Sequence, residues 1–150
     1  MPRPYAGVVL DGLRSGTVLY CPQSKRVLIK GPEDVYEHLK PLMGSADKEI
    51  FVTLALNARN QVRRVFVISV GSLNASIVHP REVFSPLIRD SAAAAILAHN
   101  HPSGETDPSE DDLALTRRLV QVGELCGIAI MDHIIVGSKS FYSLKQNGFL

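Results

Sequence analysis

Cysteine is scarce in this chain: Cys21 and Cys126 stand far apart and form no C-x-x-C pair. That excludes a disulfide framework and a four-cysteine zinc site. An excess of one charge is missing too, with 16 Lys and Arg against 15 Asp and Glu and a net charge of +1. A dedicated nucleic-acid binder usually carries a strongly basic face. Tight binding of nucleic acid is therefore not expected, and Arg59, Arg63, Arg64, Arg117 and Arg118 read as solvated surface. No apolar run approaches membrane-spanning length, so no membrane partner is expected. Met1-Pro-Arg-Pro4 is followed by no apolar core of a secretory signal, which makes a reducing, cytoplasmic location the expectation. There is no internal repeat and no low-complexity segment.

What is present suits one folded domain. At 150 residues and 45% hydrophobic, the chain can bury a proper core. Residues 1–30 read as an N-terminal β-hairpin or small meander, with short strands at Ala6–Leu10, Thr17–Cys21 and Arg26–Ile29. Residues 31–150 read as the main domain. Pro32 opens a helix that Val35, Leu39 and Leu42 carry to Met43. Ile50–Leu56 and Val65–Val70 are nearly unbroken apolar runs around the polar turn Asn57–Gln61, a hairpin of central strands. A helix over Arg81–Asp90 buries Val83, Phe84, Leu87 and Ile88. The longest helix spans Ser109–Leu125, burying Leu113, Leu115, Leu119, Val122 and Leu125, with Cys126 in the core and Gly127 as C-cap. Strands at Ala92–His99, Ile128–Val136 and Ser140–Leu144 complete an α/β chain, a mixed sheet flanked by helices in α/β/α-like layers.

The chemistry concentrates in His99-Asn-His-Pro-Ser-Gly-Glu-Thr-Asp-Pro-Ser-Glu-Asp-Asp112. Residues two apart on a strand share a face, so the His99 and His101 imidazoles converge. Pro102-Ser-Gly104 breaks the strand, and a helix opens after Pro108 with Asp112 in its first turn. Two imidazoles and a carboxylate suit one zinc ion per chain, with a fourth position left to water, as in catalytic zinc sites. Each half also has a purely structural reading. His-x-His can be surface histidines, and Ser109-x-x-Asp112 can be a capping box. The two readings are compatible, because a capping serine fixes the helix start that carries the aspartate.

Hydrolysis at such a centre needs a carboxylate to move protons. Glu49, Glu82 and Glu105 are the candidates: the first at the head of an apolar strand, the second at a helix start, the third in the loop after the histidines. Asp132 and His133, set against an apolar strand, are candidates to orient a ligand or substrate. Ser103, between Pro102 and Gly104, is a candidate to line the cleft.

The spacing H-x-H-x7-S-x2-D resembles the JAMM motif of the JAB/MPN metalloproteases. The words Ser72-Leu-Asn-Ala-Ser-Ile-Val-His-Pro-Arg-Glu-Val-Phe84, His99-Asn-His-Pro-Ser-Gly104 and Asp132-His-Ile-Ile-Val-Gly137 resemble the RadC branch of that superfamily. The resemblance implies a JAB/MPN, cytidine-deaminase-like fold with His99, His101 and Asp112 as zinc ligands. It implies that Ser109 supports the reacting water or oxyanion, and that Glu49 is the base, since the motif's glutamate precedes an apolar strand. The implied activity is metal-dependent hydrolysis of peptide or isopeptide bonds in a peptide or protein substrate. A catalytically silent scaffold of the same shape and a DNA-repair-associated RadC-type protein are the alternatives. A nucleobase deaminase would need H-x-E and P-C-x-x-C, which the chain lacks. Exposed edge strands would allow a homodimer.

Overall fold

The computed structural model describes residues 13–71 and 78–150. The strand expected at Ala6–Leu10 and the word at residues 72–77 lie outside them. In chain order the elements are β1 (Val18–Tyr20), α1 (Pro32–Met43), β2 (Glu49–Leu56), β3 (Val62–Gly71), α2 (Pro80–Arg89), β4 (Ala94–Asn100), α3 (Glu110–Cys126), β5 (Ala129–Val136) and β6 (Phe141–Ser143). A 3₁₀ turn at Gln23–Lys25 follows β1. The strands form one mixed sheet in the order β1-β3-β2-β4-β5-β6. All pairs are antiparallel except β4 with β5. A parallel pair needs a long crossover, and α3 supplies it. Val18–Tyr20 joins the sheet along β3, while the stretch expected as a strand at Arg26–Ile29 contributes a single bridge, Leu28 to Gln61.

The unbroken apolar run of β2 is explained by helices on both faces. Ile50, Val52, Leu54 and Leu56 pack with Val35, Leu39, Leu42 and Met43 of α1. Phe51 and Ala55 pack with Val83, Phe84 and Leu87 of α2 and Leu115 and Leu119 of α3. On β4, Ala94, Ile96 and Ala98 face α1, whereas Ala95 and Leu97 face α2 and α3. The next odd-numbered residue is His99, so alternation carries it to the α3 side.

β5 does not alternate simply. Ala95 lies opposite Ile130 and Ile96 opposite Asp132, so Met131 is an extra residue, a β-bulge. Before it, Ile130 packs with the α2–α3 cluster; after it, Ile134 and Val136 pack with α1. The bulge therefore sends His133 and Ile135 to the α3 side, where Ile135 clusters with Leu113.

Three expected core residues are exposed instead. Leu125 is 89% exposed, because six helical steps from Leu119 carry it about 120° off the buried stripe. Cys126 ends α3 and is exposed. Beyond it Gly127 adopts the left-handed conformation at φ 72°, and Ile128 takes the buried place. Ile88 is 56% exposed, since the face of α2 that packs is centred on Val83, Phe84 and Leu87. Among the described residues no helix is long and apolar enough to cross a membrane.

Candidate metal centre

His99 is the penultimate residue of β4, on its α3 side, and His101 follows just past the strand. Ser109 is the N-cap of α3: its hydroxyl accepts from the Asp112 N–H at 3.0 Å, and its own N–H donates to Asp112 Oδ2 at 2.9 Å. This capping box holds the carboxylate toward the histidines. His99 Nε2 lies 3.0 Å from His101 Nε2 and 3.4 Å from Asp112 Oδ1, and His101 Nε2 lies 3.4 Å from Asp112 Oδ2. One ligand atom from each of His99, His101 and Asp112 falls within 4.8 Å of the others, and these residues can hold a metal ion.

The electrostatics fit a cation at that point. His101 Nδ1 is 2.9 Å from the Glu105 carbonyl oxygen, which can only accept, so Nδ1 carries the hydrogen. Its Nε2 lone pair is then aimed at another imidazole nitrogen and a carboxylate. Such a convergence of acceptors requires a positive charge, a proton or a metal. The hydrogen bond with Asp112 raises the His101 pKa; burial opposes that rise, while the Glu105 carbonyl and the Asp112 and Glu49 charges add to it. Burial on its own would raise the Asp112 pKa, but the bonds to His101 and His99 outweigh it and hold the carboxyl well below the usual range.

Glu49 opens β2 and is half-buried. Phe51 pairs with His99, so antiparallel register carries Glu49 toward His101, where its charge acts on that imidazole. Phe51 stacks on His99 with ring centroids 6.1 Å apart and meets His133 edge-on at 5.6 Å. His133 Nε2 is 2.7 Å from His99 Nδ1. Complete burial drives the His133 pKa well down. Asp132 turns elsewhere: its carboxylate accepts from the Ser143 hydroxyl at 2.6 Å and from the backbone N–H groups of His133 and Lys145. Ser103 sits in the exposed turn, accepting from the Glu105 N–H at 3.3 Å. Glu105 offers the site its carbonyl. Glu82 lines a separate groove between α2 and the β1–β3 edge, with Ser15, Thr17 and Val18.

Two residues enter that no sequence pattern singled out. Asn100, between the histidines, accepts from the Ile50 N–H at 2.6 Å and donates to the Lys48 carbonyl at 2.9 Å, gripping the backbone on both sides of Glu49. Thr116 lies 2.6 Å from His133 Nδ1. Its position four residues after Asp112 was the available signal, since that spacing shares a helix face.

The layered sheet, with a His-His-Asp cluster where a strand end meets a helix start, defines a small α/β domain of the JAB type. The RadC-like JAB domain model matches residues 29–149, and the chain belongs to that family. The chain is 49% identical over 129 residues to a UPF0758 protein of Desulforamulus reducens, covering 86% of this chain and 57% of the relative. It is 50% identical over 122 residues to a UPF0758 protein of Methanosarcina mazei, covering 81% and 53%. A UPF0758 protein of Symbiobacterium thermophilum is 46% identical over 142 residues, covering 95% and 61%. The chain thus spans little more than half the length of the curated relatives it matches.

Proposed function

We propose that the domain is a zinc-dependent hydrolase of peptide or isopeptide bonds. The observation that carries this reading is the convergence of the His99 and His101 Nε2 atoms and the Asp112 carboxylate at one half-open point. Three such donors leave an open coordination position on zinc, as in catalytic sites. Zinc held there supplies Lewis acidity, which acidifies water and polarises a carbonyl. Glu49 accepts the proton of the attacking water and delivers it to the leaving nitrogen. The Ser109 oxygen accepts from the Asp112 N–H, so its O–H remains to donate to the carbonyl oxygen as charge builds there. His99 is 2% exposed and anchors the buried side, while half-buried His101 and Asp112 face the approach of substrate.

Purified protein is expected to carry about one zinc per chain by elemental analysis, and His99→Ala or His101→Ala to lose most of it. Hydrolysis is screened on peptide and isopeptide-linked conjugates. Glu49→Gln is expected to keep zinc and lose hydrolysis by about 10²–10⁴-fold. Glu82→Gln should stay within a few-fold of the parent. A different bound metal, or full activity in Glu49→Gln, would overturn the reading.

A further inference from the structure

Beneath the cluster runs a chain of buried polar groups whose hydrogen-bond directions can be worked out from one end. The Thr116 hydroxyl donates to the Asp112 backbone carbonyl at 2.7 Å. A hydroxyl has one hydrogen, so toward His133 Nδ1, 2.6 Å away, the same oxygen accepts. His133 Nδ1 therefore carries a hydrogen. Desolvation keeps a fully buried imidazole neutral, which leaves His133 Nε2 as a bare lone pair. That lone pair faces His99 Nδ1 at 2.7 Å, so His99 Nδ1 is the donor. The remaining nitrogen of His99, Nε2, is then bare and aimed at His101 and Asp112.

We infer that Thr116 and His133 are positioning residues for His99: a one-way hydrogen-bond chain, anchored on the Asp112 carbonyl, holds His99 in the tautomer whose Nε2 lone pair faces the cluster. This inference rests on the reading of the cluster as a metal centre and adds what prepares it. The chain begins at one proposed ligand and ends on the backbone of another, so α3 and β4 are set relative to each other by the same bonds. Removing the Thr116 hydroxyl leaves His133 Nδ1–H without an acceptor. The tautomer that relieves this carries its hydrogen on His133 Nε2. That hydrogen points at His99 Nδ1, whose own hydrogen must then move to Nε2, where it blocks coordination. No charge changes; two neutral imidazoles exchange tautomer together.

The test compares the parent with Thr116→Val, which keeps the shape and removes the hydroxyl, and Thr116→Ser, which keeps the hydroxyl. Nitrogen-15 NMR of the imidazoles in metal-free protein reads the tautomers, and competition against a chelator reads zinc affinity. The parent is expected to show Nδ1–H on both His99 and His133. Thr116→Val should move His99 to Nε2–H and weaken zinc about 10–100-fold, the usual loss when an outer partner of a ligand is removed. Thr116→Ser should restore both readings. Nε2–H on His99 in the parent overturns the inference. So does a folded Thr116→Val protein with unchanged tautomer and affinity, or a serine variant as weak as the valine. A parent that takes up no zinc would instead sink the metal reading, and the tautomers would still decide the chain.

Discussion

Asn100 shows how one residue serves two neighbours. Its buried amide ties the end of the histidine strand to the backbone at Lys48 and Ile50, and so steadies Glu49 between them. Asn100→Ala leaves the Ile50 N–H buried without that acceptor, a loss of about 1–3 kcal/mol. Thermal unfolding should record it. Zinc content should hold, because the proposed ligands are untouched, while kcat falls as Glu49 loses its fixed place. Loss of zinc in parallel with kcat would show that Asn100 supports the ligands and not the glutamate. At this scale the sequence was informative where the candidate site follows local spacing: His99 and His101, two residues apart, converge, and Ser109 caps the turn that carries Asp112. It was silent on Asn100, whose partners lie 50 and 52 residues away, and offered for Thr116 only the four-residue step from Asp112.

At the scale of elements, the loop between β4 and α3 rests on the end of β5. A methyl group at Gly137 would come within 2.8 Å of the Ser140 carbonyl, 2.8 Å of Thr106 Cγ2 and 3.1 Å of the Gly104 carbonyl. Gly104 and Thr106 flank Glu105, whose carbonyl holds His101. Gly137→Ala is therefore expected to cost about 1–3 kcal/mol in overpacking. It should also weaken zinc, because the displaced loop carries the His101 anchor; calorimetric unfolding with chelator competition checks both. Stability lost with zinc affinity intact would separate the loop from the site. Helix and strand positions followed from periodicity and from Pro32, Ser109 and Gly127. The end of α3 did not: Leu125 lies about 120° round the helix from Leu119 and Cys126 falls at its last residue before the Gly127 cap, so neither is core.

For the whole molecule, buried histidines on both faces of the sheet make stability sensitive to acid. His38 of α1 is buried on the face away from the candidate metal centre, and burial lowers its pKa to about 4. An unfolded histidine takes its proton near pH 6.5, so between pH 6.5 and 4 the unfolded state binds the extra proton. Stability should thus fall as pH drops through that window, at most about 1.4 kcal/mol per unit from this group. Chemical denaturation of metal-free protein at stepped pH checks the slope, and His38→Gln should reduce it by that share. An unchanged slope in the variant would assign the acid sensitivity elsewhere. The α/β layering was legible in the sequence because helices on both sides demand unbroken apolar strands such as Ile50–Leu56. Strand order and register were not, since they depend on pairings between segments far apart, Phe51 with His99 among them.

The extra residue at Met131 makes β5 a strand with two phases. Facing in a strand is a matter of parity, and a bulge is the point at which odd and even exchange meaning. Upstream, the even residue Ile130 belongs to the α2–α3 layer; downstream, the even residues Ile134 and Val136 belong to α1. Deleting Met131 would close the bulge, leaving Ile130 opposite Ala95 and Asp132 opposite Ile96, and every other side chain of β5 would keep its face. One residue inserted between Asp132 and His133 has the opposite effect: Ile134 would stand on the face where the imidazole of His133 meets His99, and the imidazole would stand in the apolar layer under α1. A change of one residue in the length of this strand therefore has opposite outcomes by direction: loss at Met131 preserves the candidate centre, and a gain after it dismantles the centre without altering a single proposed ligand.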